Sequence, residues 1–484
     1  MTSLEQLRRI DSWARLPAPA FHQPARIAPL QAPRWVGWSP DAARALGLDP
    51  PDGPHAGLLE LLNGERPLPG PEPLAMRYAG HQFGVPVPRL GDGRAALLAE
   101  VASPAGERWE VVLKGSGPTA YARGFDGRAV LRSAIRELLA SEHLDALGIP
   151  TTRALAVIGS GTPVVREGLE QGAILVRLAR SHLRFGHFEA LEPARVAELL
   201  EFAVAEHWPG LRGAPDRFER LYLDVVERTA RLVAAWQLVG FAHGVLNTDN
   251  MSLLGLTLDY GPFGFVEAFD PAFVPNHSDE AGRYALDRQP DVAVWNLARL
   301  AEALAPHLPL ARAEQLLDRF APAFLAAYED GARRKLGLRA WAGDRDAELF
   351  VGLLELMAAA RADWTGTFRA LCGHRPGQAA ALRGRFPGHE AGWDAWAARW
   401  EARLAEDAAD PEARAREMER ASPALVLRNW MAQVAIERAE RGDPSEVARL
   451  LGLLRRPFDD PPPGEPYAGP APDWSRRLVI SCSS

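Results

Sequence analysis

The spacing of hydrophobic residues changes along the chain. Between residues 95 and 180, short apolar runs are broken by glycine, and three of them are typical of strands: 95–99, 109–113 and 174–178. Residues 129–147 favour a helix, with Asp126 near its start and Gly148 and Pro150 as its stop. This part of the chain therefore predicts a sheet with one prominent helix.

Beyond about residue 190, apolar residues recur every three or four positions, which predicts amphipathic helices. The stripes run over residues 218–239, 291–304, 311–328, much of 347–405, and 424–455. Residues 243–290 interrupt this pattern with many Gly, Asn, Asp and Pro residues. We therefore expect an α+β fold of two lobes, the first β-rich and the second helical, with a ligand site between them.

The same patterns divide the chain into four segments. Residues 1–70 are rich in Pro and Ala and predict an N-terminal extension with short helices. Residues 71–190 form the predicted β-rich lobe, and residues 191–455 form the helical lobe with a candidate catalytic loop at 243–261. Residues 456–484 are dense in proline, which is typical of an extended tail on the surface.

Composition narrows the functional classes. Of the 484 residues, 47% are hydrophobic and 24% are charged, which is typical of a globular protein with a sizeable core. The formal net charge of −7 disfavours a nucleic-acid partner, and no apolar run approaches the length of a membrane span. The N-terminus lacks the apolar core of a signal peptide, and two cysteines make no disulfide framework. We expect a cytoplasmic protein, whose oligomeric state the sequence leaves open.

Lysine is almost absent, because only Lys114 and Lys335 remain among 55 basic residues. Lys335 lies in a run with two arginines, and we interpret it as an exposed surface residue. Lys114 ends a predicted strand, and Glu137 follows 23 residues later on the predicted helix. Kinases place nucleotide phosphates with such a pair. On this pair alone, a surface lysine and a helix glutamate are an equally good interpretation.

The polar loop adds specificity. His243 and Asn250 keep the offset of a kinase catalytic loop, and Asp259 begins an Asp-Tyr-Gly triplet like the kinase metal-binding triplet. We expect residues 251–259 to form a short hairpin that brings Asn250 and Asp259 together as oxygen ligands of one hard cation. Turn formation is the alternative reason for such a cluster. Val245 stands where a kinase has its catalytic aspartate, and Asp249 is the nearest replacement carboxylate.

Longer motifs resemble the selenoprotein O family of nucleotidyltransferases. The resemblance runs from about residue 25 to the last residue, and its motifs lie at residues 78–84, 90–95, 113–117, 181–186, 247–251, 276–279 and 482–484. It implies a protein-kinase-like fold with family-specific extensions that binds ATP in a flipped orientation. It also implies transfer of AMP to Ser, Thr or Tyr hydroxyls of proteins, with Mg²⁺ or Mn²⁺.

The resemblance also implies roles for individual residues. Asp249 would accept a proton, Asn250 and Asp259 would bind the metal, and Glu137 would position Lys114. The residues implied to contact the nucleotide are Gly91, Gly93, Arg94, Lys114, Asp126, Gly127, Arg177, Arg184 and Asp259. This agrees with physical expectation, because arginine forks bind phosphate oxygens and glycines admit a close approach. Surface charge remains the alternative for the arginines in an arginine-rich chain.

Three other functions stay open at this point. One is UMP transfer from UTP, and another is a nucleotide-binding scaffold without catalysis. The third is small-molecule phosphotransfer, which is weakened because Val245 replaces the expected aspartate.

The two cysteines give a further expectation. In some bacterial relatives, a cysteine before the Asn-His-Ser-Asp motif pairs with the C-terminal one. Pro275 occupies the earlier position here, so we expect activity to be insensitive to a disulfide between Cys372 and Cys482.

Overall fold

Strands and helices occupy different parts of the chain. The computed structural model describes residues 3–48, 54–375, 377–407 and 410–480. The strands are β1 (Arg8–Arg9), β2 (His22–Pro24), β3 (Arg34–Trp38), β4 (Leu74–Met76), β5 (Gly80–Gln82), β6 (Val85–Val87), β7 (Ala95–Ala102), β8 (Arg108–Lys114), β9 (Ala129–Val130), β10 (Arg153–Val165), β11 (Leu169–Ala179), β12 (Phe241–Ala242) and β13 (Gly264–Phe265).

The helices lie mainly in the second half of the chain. They are α1 (Pro40–Leu46), α2 (Ala56–Leu62), α3 (Leu131–Ala146), α4 (Phe185–Glu189), α5 (Pro193–His207), α6 (Arg217–Val239), α7 (Gln289–Leu304), α8 (Leu310–Leu317), α9 (Phe320–Leu336), α10 (Asp344–Ala360), α11 (Trp364–Cys372), α12 (Glu390–Glu406), α13 (Pro411–Ala421), α14 (Asn429–Glu440) and α15 (Ser445–Leu454). The predicted α+β class, with a β-rich N-terminal lobe and a helical C-terminal lobe, is confirmed.

One antiparallel sheet forms the centre of the N-terminal lobe. Its strand order is β2-β4-β7-β8-β11-β10-β3, with β1 beside β7 and β9 beside β11. Strands β1, β2 and β3 come from the first 70 residues, so part of the predicted extension completes this sheet. The three strands predicted from the apolar runs fall inside β7, β8 and β11.

Both faces of the sheet are buried, and side chains alternate between them. Val111 and Leu113 of β8 belong to an apolar cluster with residues of α1 and α2. Val112, which points the other way, belongs to the cluster that contains Leu138 of α3. Lys114 lies two residues beyond Val112, so the strand's alternation directs it to the α3 side of the sheet.

The helical lobe follows the predicted stripes, but two of them are each divided between two helices. The stripe at 424–455 is divided between α14 and α15. Helix α6 covers the predicted 218–239 and ends at Gly240, whose φ of 68° suits a left-handed cap. The predicted helix over 311–328 is instead two helices, α8 and α9. Pro322 explains the break, because it has no N–H to bond the carbonyl four residues earlier, so α9 begins just before it.

The expected hairpin at residues 251–259 is wrong. Its two arms bond to other segments instead of to each other: Leu253 N donates to Leu183 O, and Thr257 N donates to Pro150 O. A turn at Ser252–Gly255 separates the arms. These partners are distant in sequence, so local symmetry around Gly255 did not reveal them.

The interpretation of Lys335 as exposed is also wrong. Lys335 is 2% exposed, its Nζ donates to Ala421 O at 3.0 Å, and it lies 4.6 Å from the centre of the Phe368 ring. Helical spacing on α9 places it beside the buried Leu336, while Arg334 faces outward. Burial lowers the pKa of Lys335 to about 7.

Two further expectations concern membrane spans and the cysteines. Within the described ranges, no helix is both long and apolar enough to span a membrane. Cys372 is buried in α11, whereas Cys482 lies outside the described residues.

Candidate active site

A cavity of roughly 760 Å³ opens between the two lobes. Strands β7, β8 and β11 contribute to one wall, and residues 245–262 contribute to the other. The residues predicted for the nucleotide, metal and proton line this cavity: Gly91, Gly93, Arg94, Lys114, Asp126, Gly127, Arg177, Arg184, Asp249, Asn250 and Asp259. Glu137 lies behind this wall, in contact with Lys114.

Glu137 of α3 binds two cations from neighbouring strands. Lys114 Nζ donates to Glu137 Oε2 at 2.7 Å, and Arg177 Nε donates to Glu137 Oε1 at 2.8 Å. In the register of β8 and β11, Leu175 opposes Lys114 and Arg177 opposes Val112, so both cations face α3. The proposed pairing of Glu137 with Lys114 is therefore present, and Arg177 shares it.

Asp259 is surrounded by three cations. Its Oδ1 accepts from Lys114 Nζ at 3.1 Å and from Arg177 at 2.7 Å, and its Oδ2 accepts from Arg184. Burial raises the pKa of Asp259, but Arg177, Arg184 and Lys114 lower it more, so the pKa lies well below its usual range. Three cations against Asp259 and Glu137 leave one positive charge, which favours an anionic ligand.

Asp259 also has an unusual backbone. Its φ of 59° places a non-glycine residue in the left-handed region, which costs energy unless the surroundings hold it there. The three cations on its carboxylate supply that restraint. The unusual φ therefore occurs at the residue whose carboxylate binds all three cations.

The glycine-containing loops approach the cavity closely. Gly91 has a φ of 81°, and Gly127 has a φ of 66°. A Cβ on Gly127 would lie 2.1 Å from the backbone carbon of Gly117, so only glycine fits there. Asp126 lies before α3 rather than at its N-cap, and its carboxylate accepts two hydrogen bonds of 2.8 Å from Arg166.

Asp249 is a buried carboxylate in a 3-10 turn, Thr248–Asn250. Its Oδ2 accepts from Gln82 Nε2 at 3.4 Å, and its buried Oδ1 has no hydrogen-bond partner among the described residues. A Cβ on Gly80 would lie 2.7 Å from that Oδ1. Burial raises the pKa of Asp249 to about 7, a range suited to proton transfer near neutral pH.

Asn250 and Asp259 carry the donor atoms expected for a hard cation. Asn250 Nδ2 donates a hydrogen bond to Val245 O at 3.0 Å, so the Oδ1 of Asn250 is the atom that could bind a metal. An amide oxygen and a carboxylate fit Mg²⁺ or Mn²⁺, which complete their coordination with phosphate and water oxygens. Within the described part of the chain, no group of three or more His, Cys, Asp or Glu residues could hold a metal by itself.

Sequence reasoning missed several residues of this wall. Gln82 donates to Asp249, Phe83 lines the same cavity, and Arg166 binds Asp126. Gln82 and Phe83 belong to the motif at 78–84, so the resemblance marked the segment without giving it a role. Arg166 gave no signal, because it meets Asp126 only across the distance of 40 residues along the chain.

Comparisons with known proteins agree on one family for this chain. The family model described as Protein adenylyltransferase SelO matches residues 13–455. A Protein nucleotidyltransferase YdiU of Myxococcus xanthus is 52% identical over 493 residues, covering 100% of both chains. A protein of the same name from Thioalkalivibrio sulfidiphilus is 50% identical over 497 residues, again covering 100% of both.

The cavity agrees with the expected protein-kinase-like fold. The described residues show its main features: a strand lysine paired with a helix glutamate, and an Asp-x-Gly triplet between the lobes. Among solved structures, ROP2 from Toxoplasma gondii, described as having a protein-kinase fold and no enzymatic activity, is similar. It covers 59% of this chain and 75% of its own, at 14% identity and a TM-score of 0.22.

Proposed function

Because this chain belongs to the protein adenylyltransferase SelO family, and is thus a protein nucleotidyltransferase, we propose that it transfers AMP from ATP to Ser, Thr or Tyr hydroxyls of proteins. The supporting observation is that one cavity contains both a cationic cluster and a separate buried carboxylate, that of Asp249. The cationic cluster consists of Arg94, Lys114, Arg177 and Arg184. Val245 stands at the position of a kinase's catalytic aspartate, while Asp249 lines the same wall. This arrangement disfavours ordinary transfer of the γ-phosphate.

The cationic cluster would hold the triphosphate. Arg94, Lys114, Arg177 and Arg184 line the cavity and supply donors for phosphate oxygens. With the β- and γ-phosphates held there, the α-phosphate would lie toward Asp249. The leaving pyrophosphate gains negative charge, which the same cations would stabilise. Asn250 and Asp259 would hold the divalent cation, which screens phosphate charge when bound.

Asp249 would accept the proton of the acceptor hydroxyl. The hydroxyl oxygen bonds to the α-phosphorus as the bond from that phosphorus to the bridging oxygen breaks. The hydroxyl proton goes to the Asp249 carboxylate, and pyrophosphate leaves with the bonding electrons. The unpaired Oδ1 and the pKa near 7 both suit this role.

Two labels of ATP test the proposal. Purified protein, a mixture of Ser, Thr and Tyr peptides and Mg²⁺ or Mn²⁺ are incubated with α-labelled ATP and, separately, with γ-labelled ATP. We expect label in peptide only from the α position, a mass increase of one adenylyl group, and free pyrophosphate. A phosphate adduct with ADP as co-product would overturn the proposal. In a parallel incubation, stronger labelling from α-labelled UTP than from α-labelled ATP would assign UTP as the donor instead.

A further inference from the structure

The hairpin of β5 and β6 is attached directly to the loop that carries Asp249. His81 N donates to Thr248 Oγ1 at 2.7 Å, and Phe83 N donates to Asn247 Oδ1 at 3.1 Å. Strands β5 and β6 form a separate two-stranded sheet, outside the main sheet. The hairpin is therefore a separate element fixed beside the proposed proton acceptor.

The hairpin tip exposes apolar side chains. Phe83 and Gly84 have φ values of 51° and 83°, and a bulky residue at positive φ is uncommon. Phe83 is nevertheless 40% exposed, and Val85 is 63% exposed. Phe83 lines the same cavity as Asp249. The exposed Phe83 side chain therefore lies in the same cavity as the proposed proton acceptor, where a bound molecule can reach it.

A cation lies next to this tip. The guanidinium carbon of Arg283 lies 3.3 Å from the place of a Cβ on Gly84, and 4.7 Å from the centre of the Trp295 ring. Its Nε is buried without a hydrogen-bond partner. Among the ion pairs within 4.0 Å that the described residues form, none includes the Arg283 side chain, although its backbone N–H donates to the Asp279 carboxylate at 2.9 Å. The tip thus combines an apolar surface with a guanidinium that forms no ion pair with a carboxylate of the described residues.

We propose that Phe83, Val85 and Arg283 bind the acceptor protein next to its reacting hydroxyl. The partner is an extended segment with an apolar side chain on Phe83 and Val85 and an acidic side chain on Arg283. Continuity with the Asp249 wall and charge complementarity at Arg283 support this occupant. The proposal rests on the proposed function, because it names the substrate feature that this site reads.

Variants of the full chain separate the two contacts. Phe83→Gly removes the ring and suits the positive φ, whereas Arg283→Gln removes the charge. Leu169→Ala is the matched control, because Leu169 is 76% exposed at the start of β11 in another hairpin. Each protein is tested with α-labelled ATP and peptides that have Ser, Thr or Tyr at the centre and varied flanking residues.

We expect the unaltered protein to favour peptides with apolar and acidic flanking residues. Phe83→Gly should lose the apolar preference, with the KM for such peptides raised about tenfold and kcat little changed. Arg283→Gln should lose only the acidic preference, and Leu169→Ala should keep both. Unchanged preferences in the first two variants would overturn the proposal. Loss of nucleotide affinity without loss of peptide preference would instead assign Phe83 to the nucleotide.

A binding measurement keeps this inference separate from the proposed chemistry. Fluorescence polarisation of the same labelled peptides, with a non-hydrolysable ATP analogue present, reports docking without transfer. If no peptide is labelled but apolar-acidic peptides bind and Phe83→Gly abolishes binding, the proposed function fails and the surface stands. Equal binding by the unaltered protein and by Phe83→Gly overturns the surface.

Discussion

At the scale of residues, Lys114 shows why one lysine remains at the site in an arginine-rich chain. Its ammonium lies between Glu137 and Asp259, and Arg177 binds both of these carboxylates as well. A compact ammonium fits such a position better than a planar guanidinium on a longer side chain. Burial lowers the pKa of Lys114, while the two carboxylates oppose this effect.

Replacing Lys114 should therefore abolish transfer without unfolding the protein. In Lys114→Met, Glu137 and Asp259 keep their bonds to Arg177, so the fold remains. The lost contact to a phosphate is worth about 3 kcal/mol, which predicts a rate at least about a hundredfold lower. Initial rates of label incorporation measure this, with circular dichroism as the folding check.

The chain supplies its own control for that substitution. Lys335→Met removes the other lysine, which lies with α9, α11 and α13 in the helical lobe. We expect its transfer rate to stay within about twofold of the unaltered protein. A folded Lys114→Met protein with near-normal activity would show that the cationic cluster does not bind the reacting phosphates.

At the scale of elements, the glycine-containing loop from 115 to 128 depends on close backbone contacts. Gly124 and Gly127 both have positive φ, at 84° and 66°. A Cβ on Gly124 would meet nothing within 4 Å, whereas a Cβ on Gly127 would meet the backbone of Gly117 and Pro118. The two positions thus share the conformational cost and differ in steric cost.

This difference predicts unequal effects of the same substitution. Gly127→Ala should displace the loop and weaken ATP binding by about tenfold or more, because a backbone clash cannot be relieved by a side-chain rotation. Gly124→Ala should change ATP affinity much less. Calorimetric titration with a non-hydrolysable ATP analogue measures both. Equal affinities of the two variants for the ATP analogue would show that this loop is not part of the nucleotide site.

Regular elements were predictable from sequence, and long-range pairings were not. The period of apolar residues follows from local geometry, so β7, β8, β11 and α6 were located within a few residues. The segment 251–259 was misjudged because its hydrogen-bond partners lie about 70 and 100 residues away along the chain. Arg166 was missed for the same reason. The motifs named residues that line one cavity, but they did not reveal how the charged groups among them pair.

At the scale of the whole molecule, the helical lobe contains a second apolar core away from the cavity. Trp393, Trp396 and Trp400 lie on one face of α12, and successive ring centres are 5.3 Å apart. Lys335 is buried in the same region, where its Nζ bonds the last carbonyl of α13. Such a lysine links the stability of this lobe to pH, independently of the site.

The sign of that linkage follows from the lowered pKa. The unfolded lysine has a pKa near 10.5 and the folded one about 7, so between these values only the unfolded chain holds the proton. The stability that Lys335 contributes is therefore full above pH 10.5, is lost as pH falls to 7, and changes no further below 7.

Lys335→Met should lack this dependence. As the pH falls from 10 to 7, the free energy of unfolding of this variant, relative to that of the unaltered protein, should rise by about 1.4 kcal/mol for each pH unit. Denaturant unfolding of both proteins at pH 7 and 9.5 measures the change, and other titrating groups cancel in the comparison. An equal difference at the two pH values would mean that Lys335 stays protonated in the fold, held by the Ala421 carbonyl and the Phe368 ring.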